Sequence, residues 1–283
     1  MKTFEYKLAS VNSGLLKGFL HENDENTKRP AIIVCPGGGY RYLTPHEGDP
    51  VAMSFFGKGY NAFVCYYPIC EEAVYPAPQL AAFEAVKYVR DNCDEFNVIA
   101  DNIAVMGFSA GGHVASCTGV FYDNDVIVEK LETTPDKIKP DAMVLIYPCI
   151  GVDIEGYEYG VSKKNVLRCD ELVNKDTTPA FIVTSFGDKF VSCNQSLNMA
   201  RALSDNDVPF ELHLFEPGDH GFLNNNNNAL DMCTTRYIGF DSWFDLCMEW
   251  LRDRWNREVG FGKNISVEGR IKEEYFEMRL MGQ

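Results

Sequence analysis

The 283 residues carry 41 Asp and Glu against 26 Lys and Arg, a formal net charge of −15, so the surface field repels nucleic acid and anionic membranes and favours a neutral or cationic partner. Hydrophobic residues make up 46% of the chain, enough for a large core, and exclude wholesale disorder. No stretch approaches the roughly 20 apolar residues of a membrane span, and Met1-Lys2-Thr3-Phe4-Glu5-Tyr6-Lys7 lacks the apolar core of a signal peptide; the expectation is a soluble, cytoplasmic protein.

In chain order, alternating segments at 3–9 and 15–21 flank Asn12-Ser13-Gly14 and predict a hairpin. Apolar runs then follow at 31–35, 61–66, 103–106, 142–147, 180–185 and 210–215, separated by segments of helical period, the pattern of buried parallel strands joined by crossover helices. Helices are expected at 50–56, from Pro78 onward with the stripe Leu80, Phe83, Val86 and Val89, and at 111–120, 193–204 and 241–255. This predicts an α/β fold, one mostly parallel central sheet of about eight strands with helices on both faces.

Two stretches break the rhythm, 121–140 and 151–178. Long connections at the carboxyl ends of strands frame the sites of α/β sheets, so 151–178, with Tyr157 and Tyr159, is a candidate lid-like insertion and equally a surface excursion. The asparagine tract at 224–228 reads as a polar loop. One domain is expected over 1–260, followed by a tail, 261–283, of no recognisable role.

The ten cysteines include no C-x-x-C pair and no His/Cys cluster at zinc-ligand spacing, so neither a metal site nor a disulfide is expected. Cys35, Cys65 and Cys149 sit in or beside apolar runs, where a free thiol behaves as a small hydrophobe.

Gly107-Phe108-Ser109-Ala110-Gly111 matches G-x-S-x-G directly after an apolar run and before a helix of small residues. In that context the serine sits on a tight strand-to-helix turn with its hydroxyl projecting above the sheet, a nucleophile. Pro36-Gly37-Gly38-Gly39-Tyr40 follows another run. Its backbone amides at Gly38 and Gly39, with that of Ala110, are candidate donors to an oxyanion. Phosphate binding would need a G-x-G-x-x-G spacing or a following Lys-Ser/Thr, which this loop lacks.

Of five histidines, His21 and His46 precede the serine, His113 lies on its own helix and His213 inside a strand. His220, in Pro217-Gly218-Asp219-His220-Gly221-Phe222, is left as the base. An acid between serine and base fits the chain order of this chemistry. Asp188 follows the run at 180–185 and is the first candidate; Asp207 and Asp219 compete. Tyr40, Tyr42, Tyr75 and Phe222 are aromatic candidates near the mouth, Tyr40 for substrate contact.

Together, Cys35-Pro36-Gly37-Gly38-Gly39-Tyr40, Glu47-Gly48-Asp49-Pro50-Val51-Ala52, Tyr75-Pro76-Ala77-Pro78 and Gly107-Phe108-Ser109-Ala110-Gly111-Gly112-His113, with the Asp188 and His220 segments, resemble bacterial α/β-hydrolase esterases described as acetyl-xylan esterase-like, over residues 30 to 225. The resemblance implies a Ser109–His220–Asp188 triad, an acyl-enzyme, no metal or organic cofactor, and short acyl esters as substrates, acetylated oligosaccharides among them. One departure is that related esterases commonly begin the glycine loop with histidine where this chain has Pro36, so the loop's support is expected to differ. The region before the strand at 31–35 is short for a helical cap, which favours small acyl groups. The rival readings are an oligopeptidase, a lipase-type hydrolase and a non-catalytic binding module on the same fold.

Overall fold

The computed structural model describes residues 1–22, 27–151, 167–221 and 242–256. Period-two alternation produces the hairpin: β1 (Lys2–Lys7) pairs antiparallel with β2 (Leu15–Leu20), Lys2 opposite Leu20 and Lys7 opposite Leu15. The apolar runs become β3 (Arg29–Cys35), β4 (Asn61–Tyr66), β5 (Val98–Phe108), β6 (Ala142–Ile146), β7 (Ala180–Ser185) and β8 (Phe210–Phe215). The sheet order is β1-β2-β4-β3-β5-β6-β7-β8. Only the pairs involving β2 are antiparallel; from β4 to β8 every neighbour is parallel. Every residue of β6 and β7 is buried, as expected of strands covered on both faces.

Both faces are covered. On one, α2 (Ala77–Asp91), α3 (Ser109–Val120) and α6 (Asn194–Asp205) bury Ala81, Val86, Val114 and Met199 with Ile33, Phe63, Val105, Leu145 and Ile182 of the sheet. On the other, α1 (Asp49–Gly57) lies against β3 and β4, and its Phe55 meets Phe244 of α7 (Trp243–Asn256) edge-on, 4.9 Å between ring centroids. Among the described residues no helix is long and apolar enough to cross a membrane.

The stripe read on α2 divides in two. Val86 and Val89 join the main core, while Leu80 and Phe83 face a smaller cluster with Tyr122, Ile127, Leu131 and Ile138. That cluster is built by α4 (Asp125–Lys130) and α5 (Pro135–Ile138), which occupy the stretch at 121–140. Asn124 caps α4 by accepting the Val126 amide at 3.1 Å, satisfying a first-turn N–H. The stretch thus covers the outer side of α2 instead of the mouth of the sheet.

The chain separates into two compact units, Met1–Cys247 and Met248–Gln283. The first holds the sheet; of the second, residues 248–256 continue α7. Most of the expected insertion (152–166), Phe222, the asparagine tract and the tail at 261–283 lie outside the described residues.

Candidate active site

The serine turn is shaped by close backbone approach. β5 ends at Phe108 and α3 begins at Ser109, whose φ of 51° is left-handed, a strained state for a residue with a side chain. A Cβ on Gly111 would lie 2.1 Å from the Cys35 carbonyl oxygen, and one on Gly107 would lie 2.0 Å from the Gly111 carbonyl oxygen. Only hydrogen fits at either position. The chain after β6 grips the same turn, with the Cys149 amide donating to the Ser109 carbonyl at 2.9 Å.

Two loops at the carboxyl ends of β7 and β8 supply the other groups, and they are stitched together. The Ser185 hydroxyl contacts the carbonyls of Pro217 and Gly218 at 3.1 and 2.8 Å, and the Phe186 amide donates to the Phe215 carbonyl at 2.8 Å. His220 is held over the serine, its Nε2 2.8 Å from Ser109 Oγ and its Nδ1 2.7 Å from Asp188 Oδ2. The Asp188 side chain has no exposed surface. Its other oxygen accepts the amides of Phe190 and Val191 at 2.9 and 2.8 Å. A carboxylate oxygen accepts, so an N–H at Nδ1 pointing to Asp188 leaves Nε2 facing the serine hydroxyl.

The competing acids stand elsewhere. Asp219 is exposed and accepts the backbone amide of His220 at 2.9 Å, and Asp207 lies in the turn after α6 at φ 56°.

The glycine loop approaches from β3. Gly38 and Gly39 have φ of 125° and 61°, and among the described residues neither amide has a protein acceptor. The Ala110 amide lies in the first turn of α3, where N–H groups lack an intrahelical partner. A Cβ on Gly37 would sit 3.1 Å from Ser109 Cβ, which sets the glycine loop beside Ser109.

Glu47 opens one of the segments that carry the resemblance, but its role was not legible in the sequence. It ends the 3-10 turn Pro45–Glu47 and is 4% exposed. Its Oε2 accepts the Gly37 amide at 2.6 Å and its Oε1 the Tyr147 hydroxyl at 2.8 Å. Burial pushes its carboxyl above the usual carboxylate range, against those two donors, which favour the anion. The Tyr147 ring packs edge-on against His220, centroids 5.0 Å apart, so Glu47 links the glycine loop to the wall behind the imidazole. With Pro36 at the head of the loop, support comes from Glu47 and from the Tyr67 hydroxyl, 2.6 Å from the Pro36 carbonyl. In the same motif, Asp49 holds Tyr66 and Lys17 at 2.6 and 2.5 Å.

Tyr40 departs from its expected role in contacting substrate. At a φ of 60° it is buried, with its hydroxyl 2.6 Å from His113 Nδ1. The fold also gathers His113, Cys117 and Cys169, whose donor atoms lie within 4.8 Å of one another although their spacing is not that of a zinc motif. The ring's Nε2 donates to the Leu167 carbonyl at 2.8 Å, so both nitrogens are engaged by protein and the cluster packs as part of the core.

Comparison with known proteins follows this geometry. The BD-FAE family model matches residues 19–165, and that of the prolyl oligopeptidase family matches 154–247. The chain is 31% identical to endo-1,4-beta-xylanase B of Butyrivibrio fibrisolvens over 73% of its length and 34% of that protein. It is 25% identical to an acetylxylan esterase of Xylanibacter ruminicola over 94% of its length and 52% of that protein. It therefore spans between a third and about half of these curated relatives. Among solved structures, an acetyl ester-xyloside bifunctional hydrolase from Caldicellulosiruptor lactoaceticus superposes with a TM-score of 0.70 at 32% identity, covering 85% of this chain and 88% of that one. Fold and family define an α/β-hydrolase. The chain belongs to the BD-FAE family.

Proposed function

We propose that the chain is a serine esterase that removes short acyl groups, acetate first among them, from small esters including acetylated xylo-oligosaccharides. The observation that carries this is the His220 ring, bridged between Ser109 at 2.8 Å and the buried Asp188 at 2.7 Å. His220 accepts the serine proton as Oγ attacks the ester carbonyl. The amides of Gly38, Gly39 and Ala110 stabilise the oxyanion, and the imidazolium, held by Asp188, protonates the leaving alcohol. Water, deprotonated by the same ring, then attacks the acyl-serine and releases the acid. Every proton passes through His220, so the scheme calls on no metal or organic cofactor.

The acyl specificity rests on the named activities of the acetylxylan esterase and the acetyl ester-xyloside hydrolase that the chain is similar to. A second reading, amide cleavage, is favoured by the match of 154–247 to the prolyl oligopeptidase family. The test is Ser109→Ala, which removes one hydroxyl at the turn. Turnover of p-nitrophenyl acetate should vanish with the melting temperature retained, and an organophosphonate should label Ser109 in the parent only. Activity persisting in the variant would refute the scheme. Faster turnover of an aminoacyl amide than of the ester would install the second reading.

A further inference from the structure

Beside the Asp188 loop lies a cavity of about 310 Å³ whose walls include Arg168, Asp170, Lys189, Phe190, Asn194 and Asn198. Its volume is at the lower end of small-ligand pockets, suited to a mono- or disaccharide-sized group. One wall is braced from within. Gln195 of α6 accepts the amides of Ile150 and Gly151 at 2.6 and 3.0 Å, fixing the chain after β6 against the helix that carries both asparagines.

Position says which half of an ester would enter. Asp188 lines the cavity and binds His220, and the Phe190 ring centroid is 5.9 Å from that of the imidazole. The cavity is therefore on the histidine flank. A leaving alcohol must take its proton from the imidazole, so it departs on that flank, while the carbonyl oxygen turns to the glycine loop.

Chemistry says what kind of alcohol. Arg168 and Lys189 are balanced by Asp170 and Asp188, and the Arg168 guanidinium is already held by Asp170 at 2.9 and 3.3 Å. Among the described residues the lining carries two acids and two bases, with no formal net charge. Asn194 and Asn198 are exposed, four residues apart on one face of α6, and their side-chain amides make no hydrogen bond among the described residues. Each offers donors and an acceptor. Phe190 is 56% exposed, a large apolar surface set beside polar groups at a site mouth. An apolar platform next to planar amides matches a pyranose, which has apolar C–H faces and a rim of hydroxyls.

From this we infer that the cavity is the alcohol-side subsite and that it takes an uncharged pyranose, packed on Phe190 and hydrogen-bonded by Asn194 and Asn198. The inference rests on the esterase reading above and supplies its leaving group.

The test is binding, measured by calorimetry on Ser109→Ala protein so that turnover does not intervene, with acetylated xylotriose as the probe. Adding Asn194→Ala and Asn198→Ala should weaken binding about tenfold or more, the effect of losing two hydrogen bonds. Alanine raises helix propensity on this exposed face, so the triple variant should fold, and its melting temperature checks that it does. With Ser109 restored, the double variant should show a similar fall in the ratio of kcat/KM for the sugar ester to that for p-nitrophenyl acetate. Undiminished binding in the folded triple variant would overturn the subsite, as would tighter binding of a glucuronate-bearing xylotriose than of the neutral one. Loss of the esterase reading shows separately, as turnover that survives Ser109→Ala.

Discussion

A 2.6 Å hydrogen bond joins the Gly37 amide to the buried carboxylate of Glu47, whose second oxygen holds the Tyr147 hydroxyl at 2.8 Å. The bond ties the glycine loop to Glu47, and the loop's next two amides, at Gly38 and Gly39, are the proposed oxyanion donors. Glu47→Ala would strand two buried donors, at about 1–3 kcal/mol each. The expected result is a melting temperature several degrees lower and a kcat on p-nitrophenyl acetate down by at least about tenfold, with KM nearly constant, because oxyanion binding is realised in the transition state.

The same carboxyl gives a pH signature. Burial raises its folded-state pKa above the ordinary value; the native protein therefore binds more protons than the unfolded chain between the two values, and stability falls as pH rises through them. This contribution is complete below the unfolded pKa. Glu47→Gln abolishes it, so the stability gap between parent and variant should be largest at acid pH and narrow as pH rises. Urea melts at a series of pH values above 4 measure that gap. A gap that widens with pH would reverse the assignment.

Asp188→Asn should lower kcat severely, on the order of 10⁴-fold by analogy with the worked serine protease case, with little change in KM. The amide nitrogen would present a donor to Nδ1 and favour the tautomer that cannot accept the serine proton. Asp219→Asn should do far less, since Asp219 is exposed and holds only the His220 backbone amide. Steady-state kinetics on one ester compares the two, and the reverse order would move the acid to the histidine loop.

Much of this was legible in the sequence because it is local. The apolar runs at 61–66 and 180–185 coincide with β4 and β7, since strands covered on both faces leave nearly unbroken apolar segments; the run at 210–215 coincides with β8, a partly exposed strand at the end of the sheet order. The Ser109 turn shows because close backbone approach demands glycine at 107 and 111. The role of Glu47 was hidden. The resemblance marks the segment that Glu47 opens without giving the acid a role, and its partner Tyr147 stands a hundred positions away. Tyr40's burial, with its hydroxyl on His113, was not legible because its partner lies 73 positions away. The two short helices at 125–138 were read as a break because neither is long enough to show a period.

Tyr40→Phe separates packing from substrate contact. Removing the hydroxyl leaves the buried Nδ1 of His113 without its 2.6 Å partner, a loss of about 1–3 kcal/mol. The melting temperature should fall while KM for a short aryl ester stays within about twofold of the parent. A large rise in KM with unchanged stability would return Tyr40 to the substrate.

Gly111→Ala and Gly119→Ala lie on the same helix and should differ in severity. A Cβ at 111 meets the backbone oxygens of Cys35 and Pro36 at 2.1 and 2.4 Å, whereas one at 119 meets the Met143 side chain. Backbone yields less readily than a methionine, so the first variant should lose more than the roughly 1–3 kcal/mol usual for overpacking, along with its activity, and the second less. Denaturant melts of both proteins, beside an esterase assay, check the order.

The last expectation concerns the acyl half. Relatives named for acetyl esters point to a small acyl group, so kcat/KM on p-nitrophenyl esters should peak between acetate and butyrate and decline by octanoate. Each misfitted methylene is worth only about 1–3 kcal/mol in an apolar pocket, so the decline should be graded unless a wall blocks the chain. A maximum at decanoate would indicate a lipase. Charge acts on the other half of the ester. With a formal net charge of −15, the protein should process neutral acetylated xylo-oligosaccharides faster than glucuronate-bearing ones at low ionic strength. The ratio should shrink as added salt shortens the Debye length from about 30 Å at 0.01 M to about 8 Å at 0.15 M. A preference that persists undiminished in high salt would assign the discrimination to contacts within the cavity walls instead of to the long-range field.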